Sequence, residues 1–209
     1  CRKIAILASL AFGKYVDSAE IHTEGITKIT LEDVEYANAF GSVIKLIGMA
    51  SKAENGIYAC VCPAVLKTSH PLAGIDGVFN GIMVKGDAIG DVMFYGKGAG
   101  SLPTASAVVS DVIDTVKHKN THILLGWTDS EDGYLLDSDN QKFSFYIRLG
   151  GKSASFNEQG FKVVTLDKSK YKNEFAVITP MMNGHEFNAL KEKLSSEYKI
   201  MSALRLVAE

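Results

Sequence analysis

Apart from Arg2, Lys3 and Ser9, residues 1–12 are apolar, which predicts a helix buried on most of its surface. Lys3, Leu7 and Leu10 stand at i, i+4 and i+7, so the lysine shares a face with two leucines. Thr30 with Asp33 approximates a capping box and predicts a short helix over 31–40 that Gly41 ends. Strands follow over 43–49 and 57–65, with Glu54-Asn55-Gly56 supplying hairpin turn chemistry between them. Ser69-His70-Pro71-Leu72 reads as a helical turn, and 77–84 and 91–95 as two more strands joined by a loop containing Gly86 and Asp87. Gly96, Gly98 and Gly100 then lead into a helix over about 103–117, with Ser101 as its cap and Pro103 in its first turn.

The pattern changes after Trp127. Residues 128–140 are rich in Asp, Ser and Gly, as a domain boundary would be, with a strand at Tyr134-Leu135-Leu136 inside the stretch. Phe143, Phe145, Ile147 and Leu149 alternate on one strand face, and 161–166 and 175–179 predict two further strands. Asn183 with Glu186 forms a capping box for a helix whose stripe is Phe187, Leu190, Leu194 and Tyr198, and 200–207 closes as a strand. The expected fold class is α+β, in two domains, residues 1–127 and 128–209.

Composition narrows the functional classes. Twenty-two basic and 24 acidic side chains nearly cancel, for a formal charge of −2. That balance argues against nucleic acid and membrane surfaces as partners, because both need concentrated positive charge. Three cysteines in 209 residues make no disulfide framework, so a cytoplasmic protein is expected. The first helix has no Ser, Thr, Asp or Asn ahead of it to cap its N–H groups, and no leader pattern precedes it. The chain is therefore expected to be the C-terminal part of a longer protein.

Candidate chemistry is sparse. The glycines at 96, 98 and 100 allow close backbone approach, and the following helix aims its free N–H groups at the same spot, as in a phosphate cradle. The same glycines also suit a tight strand-to-helix turn with no ligand. Lys3 either snorkels from its leucines or is a partly desolvated amine usable in proton transfer. Cys60 and Cys62 share a strand face, yet lack the second ligand pair a structural metal needs, and His185-Glu186 lacks a second histidine because Ala189 stands there. His118 and His122, four apart at a helix end, read as solvated, and Asp111 and Asp114 as a solvent face. No metal ligands are assigned.

The run Gly98-Ala99-Gly100-Ser101-Leu102-Pro103-Thr104-Ala105-Ser106-Ala107-Val108-Val109 resembles the signature of homoserine dehydrogenases. Arg2 to Ala8, Glu24-Gly25-Ile26, His70-Pro71-Leu72 and Gly77 to Asn80 match that family in the same order. The resemblance covers residues 1 to about 118. It implies reversible oxidation of L-homoserine to L-aspartate 4-semialdehyde with NADP or NAD, in a homodimer, on the route to threonine, methionine and isoleucine. It also implies that Lys3 is the general acid/base and that Gly98, Ala99 and Gly100 approach the cofactor. Lys97 stands where the family more often has proline. The residues that hold most of the cofactor, with the remaining catalytic groups, would precede Cys1. Residues 1–127 are then a mixed-sheet substrate and dimerisation domain whose Gly-Ala-Gly helix completes the nucleotide-binding domain. Residues 128–209 resemble a small ACT-like α+β domain with its first helix missing, since about eleven residues, 150–160, are too few for it. A non-catalytic amino-acid-binding or dimerisation module derived from that enzyme is the alternative.

Overall fold

A computed structural model describes residues 1–122, 124, 126–166, 171 and 173–207. The elements in chain order are α1 (Arg2–Phe12), β1 (His22–Thr23), α2 (Leu31–Ala39), β2 (Ser42–Ala53), β3 (Gly56–Lys67), β4 (Phe79–Gly86) and β5 (Gly90–Lys97). They continue with α3 (Ser101–Lys117), β6 (Ser144–Gly150), β7 (Lys162–Val164), β8 (Glu174–Ile178), α4 (Gly184–Ser195) and β9 (Lys199–Val207). The chain divides into two compact units, Cys1–Lys67 with Gly126–Glu209, and Thr68–Leu125.

The first unit is built on one mixed sheet in the order β1-β3-β9-β6-β8-β7, with β2 paired antiparallel to β3. β3 runs parallel to both β1 and β9, while β6 is antiparallel to β9 and β8. The sheet therefore takes strands from both sides of residue 127. Alternation along each strand sorts side chains to the two faces. On one face Ile57, Ala59 and Val61 of β3 meet Ala5 and Ala8 of α1, and Val65, Tyr146 and Leu204 meet Tyr36 of α2. On the other, Phe145, Ile147, Leu149 and Val177 meet Phe187 and Leu194 of α4.

α1 corrects the sequence reading. Its buried residues are Ala5, Ala8 and Ser9, whereas Lys3 and Leu10 are exposed and Leu7 is half-buried. The helix is rotated because small side chains let it sit close on the sheet. Ser9 fixes that rotation, donating from Oγ to the Ala5 carbonyl at 2.8 Å and accepting from the Val16 N–H at 3.0 Å. Lys3 is thus not desolvated among leucines.

Two smaller corrections follow. Residues 134–136 make only a bridge, Leu135 to Ile57, and not a strand. The two-residue strand β1 has no counterpart in the sequence pattern. Between β6 and β7 lies one short 3-10 turn, Ser153–Ser155.

The second unit holds a 3-10 turn (Pro71–Gly74), the β4–β5 hairpin and α3. The buried His70 starts that turn, its Nδ1 accepting from the Leu72 N–H at 3.1 Å. In the hairpin Phe79 stacks on Tyr95 at 4.9 Å.

Candidate active site

Two of the sequence-designated features fall in separate units. Lys3 stands in the first turn of α1, in the first unit, with its side chain exposed. The Gly98-Ala99-Gly100 turn lies in the second, between β5 and α3.

That turn is shaped by its glycines. A Cβ on Gly98 would meet the Asn80 side-chain amide and require it to turn aside, while the Gly98 N–H donates to the Val78 carbonyl at 3.0 Å. Gly100 has φ of 119°, a conformation open to glycine, and it is the N-cap of α3. Ser101, expected as the cap, is instead the first helical residue, and no side chain caps the helix. The first turn of α3 borders a shallow groove lined by Gly98, Thr104, Ala105 and Val108. Such an end suits an anion brought against it. No residue of α3 is buried, and Val109, Val112, Ile113 and Val116 stand exposed.

Other candidates resolve simply. Cys60 and Cys62 are free and buried on β3, and they hydrogen-bond to each other, which with burial pushes the Cys60 thiol up. His118 pairs with Asp114 at 3.3 Å on the end of α3, and His185 is exposed. Among the described residues no group of three or more His, Cys, Asp or Glu side chains is placed to hold a metal.

Two ionic groups had no signal in the sequence. Asp33, fully buried, divides its carboxylate. Oδ2 accepts from the Thr30 N–H at 3.1 Å and caps α2, while Oδ1 accepts from Arg148 Nε at 2.8 Å and from the Ser202 hydroxyl. Arg148 also donates to Glu174 at 2.8 Å and to Thr30 Oγ1 at 3.2 Å. Burial works against the guanidinium charge, but Asp33 and Glu174 outweigh it and hold its pKa above the ordinary value. Burial and the nearby Asp33 push the Tyr146 phenol up as well. The second group is Arg205 on β9, which donates to Glu24, itself joined to His22 at 2.7 Å. Burial opposes the Glu24 charge, yet the bonds from Arg205 and His22 prevail and lower its pKa. Only the alternation along β6 and β9 placed these arginines on strands, and partners 115 and 181 residues away leave no mark in spacing.

A family model described as homoserine dehydrogenase matches residues 1–113, a stretch that contains Lys3, Glu24 and the Gly98–Gly100 turn. The chain belongs to the homoserine dehydrogenase family. The homoserine dehydrogenase of Corynebacterium glutamicum is 34% identical over 98% of this chain and 48% of its own length. That of Pseudomonas aeruginosa is 29% identical over 99% of this chain and 51% of its own. A crystal structure of a homoserine dehydrogenase from Thiobacillus denitrificans superposes with a TM-score of 0.80 at 30% identity, covering 98% of this chain and 52% of that one. The chain thus spans about half the length of the relatives it matches, and the likeness runs past residue 113 through the sheet that β9 completes.

Proposed function

We propose that this chain is the substrate-binding, dimerisation and ACT-like portion of a homoserine dehydrogenase, acting in reversible NAD(P)-dependent oxidation of L-homoserine to L-aspartate 4-semialdehyde. The observation that carries the reading is the family match over residues 1–113 with the glycine turn in place. Lys3 is the general acid/base. In the oxidative direction its neutral amine takes the hydroxyl proton as the carbonyl forms, and in the reductive direction the ammonium returns it. Its exposure supports this role, since the amine is free to meet a substrate completed by residues outside this chain.

A bound nicotinamide supplies the hydride acceptor, NADP or NAD. The glycine turn fits such a group, because Gly98 keeps side chains out of the backbone's path and Gly100 leaves the α3 N–H groups uncapped for a phosphate. The apolar face of α3 supports docking against the rest of a nucleotide-binding domain. The exposed Ile82, Val84 and Phe94 on one face of the β4–β5 hairpin support a homodimer. The functional boundary is placed at 127/128, with 128–209 acting as a degenerate ACT-like module even though the sheet is shared. Among the described residues no helix is long and apolar enough to cross a membrane, and we place the protein in the cytoplasm.

The test joins residues 1–209 to the complementary half of the Pseudomonas aeruginosa relative. The chimera oxidises homoserine, and Lys3→Met lowers kcat by about 10²–10⁴-fold. The 209-residue chain alone is expected to be inactive with homoserine and NADP. An inactive but folded chimera favours the non-catalytic module instead.

A further inference from the structure

β3 carries two thiols that the proposed reaction does not use. Cys60 and Cys62 are both free and both buried, and as i and i+2 of one strand they point to the same face of the sheet. The pairing register shows what else stands on that face. On one side Met49 and Ile47 of β2 are paired with Cys60 and Cys62. On the other His22 of β1 is paired with Cys60, and Glu24 follows two residues on. Arg205, paired with Ala64, brings a guanidinium to the same face and acts on both thiols. The hydrogen bond from Cys60, with Arg205 beside it, keeps the Cys62 thiol below its ordinary value despite burial.

Same-face neighbours on a strand have Cα atoms about 6.6 Å apart, two rises of ~3.3 Å. A disulfide prefers about 5.5–6 Å, so closing one would bend β3, which is paired with β2 along its whole length. A metal ion holds two sulfurs further apart. With metal–sulfur bonds of about 2.3 Å, as for zinc, a two-coordinate ion spans up to ~4.6 Å and needs no such bend. Zinc itself takes four donors, and among the described residues no group of three His, Cys, Asp or Glu side chains is placed to hold it. Calcium and magnesium need oxygen ligands, which Met49 and Ile47 beside the thiols do not supply. Thiolates in an apolar surround that includes a thioether select Cu(I).

We infer that Cys60 and Cys62 form a two-sulfur site for a soft monovalent cation of the Cu(I) class. Binding releases a proton from each thiol and forms two metal–sulfur bonds, with no change of oxidation state. The resulting bis-thiolate complex carries one net negative charge, and Arg205 is the cation that balances it. Arg205 also marks the way in. With His22 and Glu24, both partly open to solvent, it lines a pocket, so the same guanidinium meets the pocket and the thiol pair. The site involves neither Lys3 nor the glycine turn, so it stands apart from the dehydrogenase reading.

The experiment titrates the full 209-residue chain anaerobically with Cu(I), against the chromophoric chelator bicinchoninate as competitor. Cys1, the third free thiol, is first removed as Cys1→Ser, so that only the pair on β3 remains. A single Cu(I) per chain is expected to leave the chelator, and Zn(II) at equal concentration not to displace it. X-ray absorption of the loaded chain is expected to show a first shell of sulfur alone. Cys60→Ser and Cys62→Ser each lower the Cu(I) affinity by more than about a hundredfold, since outer-shell changes alone cost about 10–100-fold. Arg205→Gln, which keeps both sulfurs, lowers it by about 10–100-fold. The absorption measurement changes nothing on β3, so it decides the matter even where a serine variant fails to fold. A chain that takes no Cu(I) from the chelator overturns the inference. So does a first shell containing nitrogen or oxygen, which moves the ion to His22 and Glu24, displacement by Zn(II), or a folded Cys60→Ser, Cys62→Ser or Arg205→Gln variant that keeps full affinity.

Discussion

α3 and α4 carry similar apolar stripes, yet one is covered and the other is not. α4 sets Phe187 and Leu194 into the core over β6 and β8, while α3 buries none of its residues. The stripe of a helix states that a face is to be covered, and not by which part of a protein. In α4 the cover lies within the same chain, on strands reached through short connections. α3 follows the family signature, and its stripe is available to something else.

The comparison can be broken most forcefully on the covered side. Phe187→Ala removes a stacked ring from the core and is expected to destabilise the first unit by about 3–5 kcal/mol, read by urea unfolding. Arg148→Ala leaves Asp33 buried without its cation and costs a comparable ~3–5 kcal/mol. If either change proves neutral, the first unit does not owe its stability to these contacts. On the uncovered side, Val112→Asn shifts the stability of the 209-residue chain by no more than about 0.5 kcal/mol. In the chimera the same change weakens NADP binding about tenfold, which separates a docking face from an idle one.

The smallest effect concerns the half-buried pair. Glu24 has a folded pKa below its ordinary value of 4.5, so the stability it lends is complete above that pH and is lost as pH falls through the folded value. Acid unfolding of the natural chain and of Glu24→Gln therefore differ above pH 4.5 and converge below it.

Much of this was legible in advance. The helices, the β2–β3 hairpin with its Glu54-Asn55-Gly56 turn, the cap at Asn183 and the β6 alternation all follow from local rules that act within a few residues. The rotation of α1 did not, because periodicity weighs leucines and the helix is seated on alanines and a serine. Gly100 displaced Ser101 as the cap because the turn before α3 is set by backbone approach to Asn80, which no spacing encodes. Within the candidate site, the resemblance designated Lys3 and the glycine turn, while the face that Lys3 shares with Leu7 and Leu10 is not the one the helix buries. Asp33 was read as a cap only, and its second oxygen serves a residue more than a hundred positions away.

β9 is the most C-terminal of the described strands, and it lies between β3 and β6 in the middle of the sheet. A ribosome releases the chain from the other end, at roughly 5–20 residues per second. Until β9 emerges, β3 has no partner on that side and Asp33 has no Ser202. The first unit therefore completes its sheet late, through contacts of high sequence separation, and such folding is slow. Among the described residues the second unit contains only nearby strand pairings, so it can close while the first still waits for its central strand.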